Sequence, residues 1–173
     1  MCREASFIVA DNGRKVFWSK YSDSHEDIIK KYGLVESVAG KVCFVRVEVS
    51  PVGGSSQLMT DFADWNFRVD QDLLPDWWDS VEAEKMCRVE LPKWRESKCF
   101  AGGVMSVNRG KIYLFNNSSA GLFGNSSAGL SGNSSARLYD NSSARLYGKS
   151  SAELFGKSSA VLFSSSATIK EKP

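Results

Sequence analysis

The chain has a single histidine, four prolines and no apolar run long enough to span a bilayer. A membrane-crossing helix is therefore not expected. The opening residues, MCREASFIVA, place charges against too short an apolar run for a signal peptide. The four cysteines, Cys2, Cys43, Cys87 and Cys99, have no paired spacing. They fit neither a zinc knuckle nor a dense disulfide framework, so the thiols are expected to be reduced and the protein to sit in the cytoplasm. No glycine-rich phosphate loop, serine-hydrolase elbow or zinc motif occurs. A general base needs a partner and a pocket, and the sequence around His25 promises neither. With Glu26 and Asp27 beside it, His25 reads as a solvated residue of a first helical turn. Asp70, Asp72, Asp76 and Asp79 lack the glycine and terminal glutamate of a calcium loop. No catalytic residue, metal or cofactor is expected.

An excess of charge of one sign is also lacking. The formal net charge is +2. It divides unevenly: residues 1–100 sum to −3 and residues 101–173 to +5. Neither half has the basic density of a committed nucleic-acid binder.

What the chain does have is a repeat. Asn117 to Ser164 reads as six octads, NSSAGLFG, NSSAGLSG, NSSARLYD, NSSARLYG, KSSAELFG and KSSAVLFS. Ala recurs at 120, 128, 136, 144, 152 and 160, and Leu two residues after each. Residues two apart share a face of an extended strand, so Ser118, Ala120 and Leu122 point inward, and Gly121 and Phe123 outward. Gly and Asn at the junctions tolerate positive φ and supply corners. The serines, Asn and Gly argue against a helix of similar period. Each octad is then a short strand plus a corner, and stacked coils bury together what one cannot bury alone.

The Ala-x-Leu core resembles that of pentapeptide-repeat proteins, though the period of eight does not transfer their four-sided geometry. The octad length resembles the triple-stranded β-helix of bacteriophage tail spikes, an intertwined trimer. Charge separates the two arrangements. In the trimer Arg137 would lie on Arg145, and Lys149 on Lys157. In a single chain with two octads per coil, residues sixteen apart stack, and Arg137 meets Glu153. Like charges directly opposite are destabilising, so the two-octad coil is favoured. Val104, Ile112 and Leu114 extend the register backward, although Ser106 breaks the Leu position. Ala167 and Ile169 keep the two-residue spacing but arrive one residue early, and that irregularity, followed by Lys170, Glu171, Lys172 and Pro173, reads as a cap. Phe123, Tyr139, Tyr147 and Phe155 follow the Leu positions. They either stack at a corner or form a ladder open to a partner.

Residues 1–100 read as a small α+β domain, and 101–173 as the solenoid. Ser6–Ala10 and KVFWSKY form strands around the Asp11-Asn12-Gly13 turn. Ser24 caps a short helix that Gly33 ends. VCFVRVEV is a central strand stopped by Pro51, SPVGGSSQ a loop, and FADWNFRV a partial fourth strand. A second helix, capped by Asp79 or Ser80, runs to about Ser97, where it leads into the solenoid and caps it. Its buried stripe is expected to be Trp77, Val81, Cys87, Leu91 and Trp94, with a kink or break at Pro92. Adjacent Trp77 and Trp78 cannot both face inward. With Arg68, Asp72 and Asp76 they form the candidate partner site.

SHEDIIKKYGL (Ser24–Leu34), DQDLLPDWWD (Asp70–Asp79), KWRE (Lys93–Glu96) and the short tandem repeats resemble a group of uncharacterised proteins of bacterial and bacteriophage genomes. The resemblance brings no established activity. It implies a small accessory protein of phage or prophage origin, so the cytoplasm expected above is that of a bacterial host cell. The expected function is non-enzymatic: a protein-interaction or scaffold role, with a protein partner or self-association. Binding and blocking a host defence component is one form of it. Nucleic acid is a weaker alternative partner, and no membrane partner is expected. A trimeric virion shaft and a small enzyme or ligand-binding protein built on the front domain are the alternative functions.

Overall fold

The computed structural model describes residues 5–173, apart from the side chains of Ser55 and Ser56. Cys2 lies outside the described residues. The chain divides into two units, one ending at Ser97 and the other running from Lys98 to Pro173.

In the first unit β1 (Ser6–Ala10), β2 (Lys15–Phe17), β5 (Phe44–Pro51) and β6 (Trp65–Val69) form an antiparallel sheet in the order β2-β1-β5-β6. A two-stranded ribbon, β3 (Ser37–Val38) with β4 (Lys41–Val42), precedes β5. The two central strands, β1 and β5, are buried on both faces, and successive residues alternate between those faces. Ile8 and Phe44 meet Ile28 of α1 (His25–Tyr32) on one face. Val45, Val47 and Val49, on the other, are fully buried. Trp65 belongs by alternation to that second face, and its ring meets Trp94 of α2 (Ser80–Lys98) edge-on at 6.1 Å.

The capping signals act as read. Ser24 Oγ accepts from the Asp27 amide, and Gly33 closes α1 at φ 61°. Asp79 Oδ1 accepts from the amides of Val81 and Glu82. Several expectations need correction. The second strand stops at Phe17. Val42 belongs to the ribbon, so the central strand starts at Phe44. The SPVGGSSQ segment contains a 3-10 turn, Gly54–Gln57. Phe62–Asp64 is another, so β6 begins only at Trp65. Val81 is 77 % exposed, because the buried stripe of α2 is Ala83, Cys87, Leu91 and Trp94, a run that starts two residues later. The helix continues through Pro92 without a break.

The second unit is a β-solenoid of about five turns with a spacing of about sixteen residues. One sheet contains β7 (Cys99–Phe100), β9 (Lys111–Leu114), β11 (Ser127–Leu130), β13 (Ser143–Leu146) and β15 (Ser159–Leu162). The other contains β8 (Val104–Val107), β10 (Ser119–Leu122), β12 (Ser135–Leu138), β14 (Ser151–Leu154) and β16 (Thr168–Glu171). Neighbours are parallel, and Ala stacks on Ala and Leu on Leu: Ala120 on Ala136 on Ala152, and Leu122 on Leu138 on Leu154. Leu122, Leu130, Leu138 and Leu146 are fully buried.

The register departs from the simple pattern at both ends, and turn length is the reason. Met105 and Val107, rather than Val104 and Ser106, pair with Ala120 and Leu122. The turn through Asn108, Arg109 and Gly110 is one residue shorter than the repeat requires, so Val104 is left 85 % exposed. At the far end Ile169 pairs with Ala152, and Glu171 with Leu154. An extra serine within Ser164–Ser166 moves Ala167 back to the corner position, where it is buried.

The corners rest on two features. The eighth residue of successive octads has positive φ: Gly124, Gly132, Asp140, Gly148 and Gly156. At Gly148 an added Cβ would lie 3.2 Å from the backbone nitrogen of Gly132 in the coil beneath. The first serine of each of the first five octads is buried, and in Ser118, Ser126 and Ser142 its hydroxyl donates to the carbonyl three residues earlier at 2.7–2.8 Å.

Candidate functional site

The first unit contains a cleft of about 1190 Å³. Its walls are the tip of the β1–β2 hairpin, the β3–β4 ribbon and the segment Leu73–Trp77. That last wall is held by one side chain. Gln71 donates from Nε2 to the carbonyls of Leu73 and Phe44, and its Oε1 accepts from the Arg46 amide. The Trp78 amide donates to the Pro75 carbonyl and closes the turn. On the opposite wall Gly13 has φ 76°, and a Cβ there would lie 3.5 Å from Cε3 of Trp77. The hairpin tip and the tryptophan ring are thus in close register.

The cleft is apolar at its rim. Val35, Val38, Leu73 and Leu74 are 59, 60, 75 and 46 % exposed, and all four line it. Charge is sparse and of both signs. Lys15 pairs with Asp11 at 3.1 Å, while Lys41 and Asp76 lie along the lining.

Of the residues singled out from sequence, Trp77 and Asp76 line this cleft, and Arg68, Asp72 and Trp78 do not. Both tryptophans are half-buried, with ring centroids 6.3 Å apart. Asp72 is exposed. Arg68 is drawn into a different cluster, bonded to Glu48 and Asp70. The aliphatic half of the cleft was missed from sequence. Val35 and Val38 lie in a short polar-flanked stretch with no periodicity, and only the fold, with Val38 on the ribbon and Val35 just before it, brings them into the same cleft as Leu73.

In the solenoid the aromatic side chains form face-to-face stacks along the axis. Phe123 and Tyr139 are 4.8 Å apart, Tyr139 and Phe155 4.7 Å, and Tyr147 and Phe163 4.9 Å. Ser131 interrupts the second stack. Phe123, Tyr139, Tyr147 and Phe155 are half-buried by this stacking, which satisfies the intramolecular reading of the ladder.

His25 is not the solvated residue expected. It is 3 % exposed, with Nε2 3.0 Å from the Val47 carbonyl and Nδ1 3.4 Å from Asp70 Oδ2. The position at the start of α1 was legible; the sheet it folds against was not.

Three groups titrate away from their usual range. Burial, with help from Glu84 and Glu90, pushes the Cys87 thiol up to about 12. Burial also pushes Glu90 upward, but hydrogen bonds from Lys93 and Trp18 and the Lys93 charge together hold it below the ordinary carboxylate range. Glu153 is held low, chiefly by the hydrogen bond from Arg137.

No family model, curated protein or solved structure matches the chain. No helix among the described residues is long and apolar enough to cross a membrane.

Proposed function

We propose that the chain is a non-enzymatic interaction protein. The first unit takes an apolar segment of a protein partner into its cleft, and the solenoid serves as a rigid scaffold. The observation that carries this reading is the set of four exposed aliphatic side chains, Val35, Val38, Leu73 and Leu74, gathered around Trp77 in one concavity. Exposed apolar side chains are ordinary when scattered, but clustered in a groove they mark a binding surface. Trp77 supplies the large, rigid anchor that dominates such contacts. The few charges at the rim, Lys41 and Asp76, would set register rather than strength. For a chain of phage or prophage origin, which the sequence resemblance implies, the partner would be a host protein, a defence component among them.

The test is capture from a bacterial host lysate on the immobilised full chain, followed by mass spectrometry, with Leu73→Asp and Trp77→Ala run alongside. A partner retained by the wild-type chain and lost by both variants supports the cleft. A partner retained equally by all three removes it.

A further inference from the structure

We propose that His25, Glu48 and Asp70 form a binding site for one divalent cation of the zinc class, with Arg68 as the counter-ion that the metal displaces. A ligand atom from each of the three residues lies within 4.8 Å of the other two. Three elements converge to make this cluster. His25 is the first residue of α1, Glu48 lies on the central strand β5, and Asp70 follows β6. Arg68 stands directly across from Glu48 in the sheet. The Asp70 amide donates to the Arg46 carbonyl at 2.8 Å, which fixes its position one residue past the strand.

The imidazole is oriented as a ligand. Its Nε2 lies 3.0 Å from the Val47 carbonyl, which can only accept, so Nε2 carries the hydrogen and Nδ1 is turned toward the carboxylates. Metal-bound imidazoles hold their second nitrogen in this way. The Nδ1 to Asp70 Oδ2 separation is 3.4 Å. That is long for a charge-assisted hydrogen bond, which runs to about 2.9 Å. It matches the edge of a tetrahedron, about 3.3–3.6 Å for metal–ligand bonds of about 2.0–2.2 Å.

The burial is equally telling. Glu48 is 1 % and His25 3 % exposed. A carboxylate and an imidazole at such depth, with the 34 % exposed side chain of Asp70 beside them, favour a cation among them. Arg68 supplies one through a single nitrogen, Nη2, at 3.0 Å from Glu48 Oε2 and 2.7 Å from Asp70 Oδ1. Its side chain is 52 % exposed, so the guanidinium can swing into solvent and vacate the position. A donor set of one nitrogen and two carboxylates suits Zn²⁺ and its neighbours, whereas Ca²⁺ and Mg²⁺ favour oxygen alone.

The experiment is a titration of the untagged full chain, first stripped by chelator, with Zn²⁺ followed by calorimetry and with Co²⁺ followed by visible absorption. Asp70→Asn and Arg68→Gln are titrated in parallel, each first checked by circular dichroism for wild-type structure. The site predicts one equivalent bound per chain. Asp70→Asn should weaken binding by about tenfold or more. Arg68→Gln should bind more tightly than wild type, because no resident cation has to leave. Absence of stoichiometric uptake overturns the proposal. So does uptake that Asp70→Asn leaves unchanged, which would place the metal on the cysteines or other surface groups. Weakening by Arg68→Gln to the extent seen with Asp70→Asn would overturn the displacement.

Discussion

Arg137 and Glu153 face each other across neighbouring parallel strands, Nε to Oε2 at 3.0 Å, although sixteen positions separate them in the chain. Their contact ties the spacing of the coil to a charge pattern visible in the octads. Both side chains lie on the outer face of the solenoid, so the pair contributes modestly and through solvent.

The pair gives the first prediction. Glu153 titrates below the usual carboxylate range in the folded state, mainly because Arg137 donates to it. Its contribution is therefore present above the unfolded carboxylate range and is lost as pH falls through the folded value. Glu153→Arg should lower the thermal midpoint at low salt, and added salt should narrow the difference from wild type. Midpoints equal at low salt would show that the two charges do not interact.

The stacked core gives the second. Leu138 is fully buried between Leu122 and Leu154, whereas Leu162 on the outermost coil is 46 % exposed. Leu138→Ala should cost about 2–5 kcal/mol of stability in urea unfolding, the range for a buried leucine. Leu162→Ala should cost clearly less.

The corners give the third. Gly148 has φ 64° and a coil-to-coil approach that is tight for a methyl group. Gly148→Ala should destabilise the chain by about 1–2 kcal/mol, the cost of the left-handed region for a residue with a Cβ. Asp140 shows how a residue other than glycine is accepted: its carboxylate accepts from the Gly124 amide at 2.9 Å.

Thiol chemistry gives the fourth. Cys87 is buried and its thiol is pushed up to about 12, while Cys43 is half-buried at the edge of the cleft. Under native conditions near pH 8 a small alkylating reagent should label Cys43 and spare Cys87, as peptide mass mapping would show. The raised Cys87 value also has a stability consequence. Its contribution is complete below the unfolded thiol value of about 9 and declines as pH rises toward 12.

The parts of the fold that were legible are those fixed by local periodicity. Ala and Leu two residues apart announced strands, and Ser24, Gly33 and Asp79 announced helix ends. The slips arose where the chain changes its count. One residue too few between Val107 and Ile112, and one too many after Phe163, shift which side chains face inward, and no window of alternation reveals a turn length. The sites were harder still. Trp77 drew attention by its type, but Val38 on the ribbon and Val35 just before it become part of a cleft only through the fold. His25 and Asp70 are forty-five positions apart, and only the packing of α1 on the sheet brings them together.

The sixteen-residue coil within one chain is tested most directly by paired cysteines in a chain whose native cysteines are replaced by serine. Ser119 and Ser135 are directly paired neighbours, whereas Ser119 and Ser127 lie in different sheets. Ser119→Cys with Ser135→Cys should close an intramolecular disulfide on mild oxidation, since directly paired strand residues fall within the reach of about 4.4–6.8 Å between Cα atoms. Ser119→Cys with Ser127→Cys should stay reduced. Closure of the eight-residue pair, or cross-linking between chains instead of within one, would contradict the account.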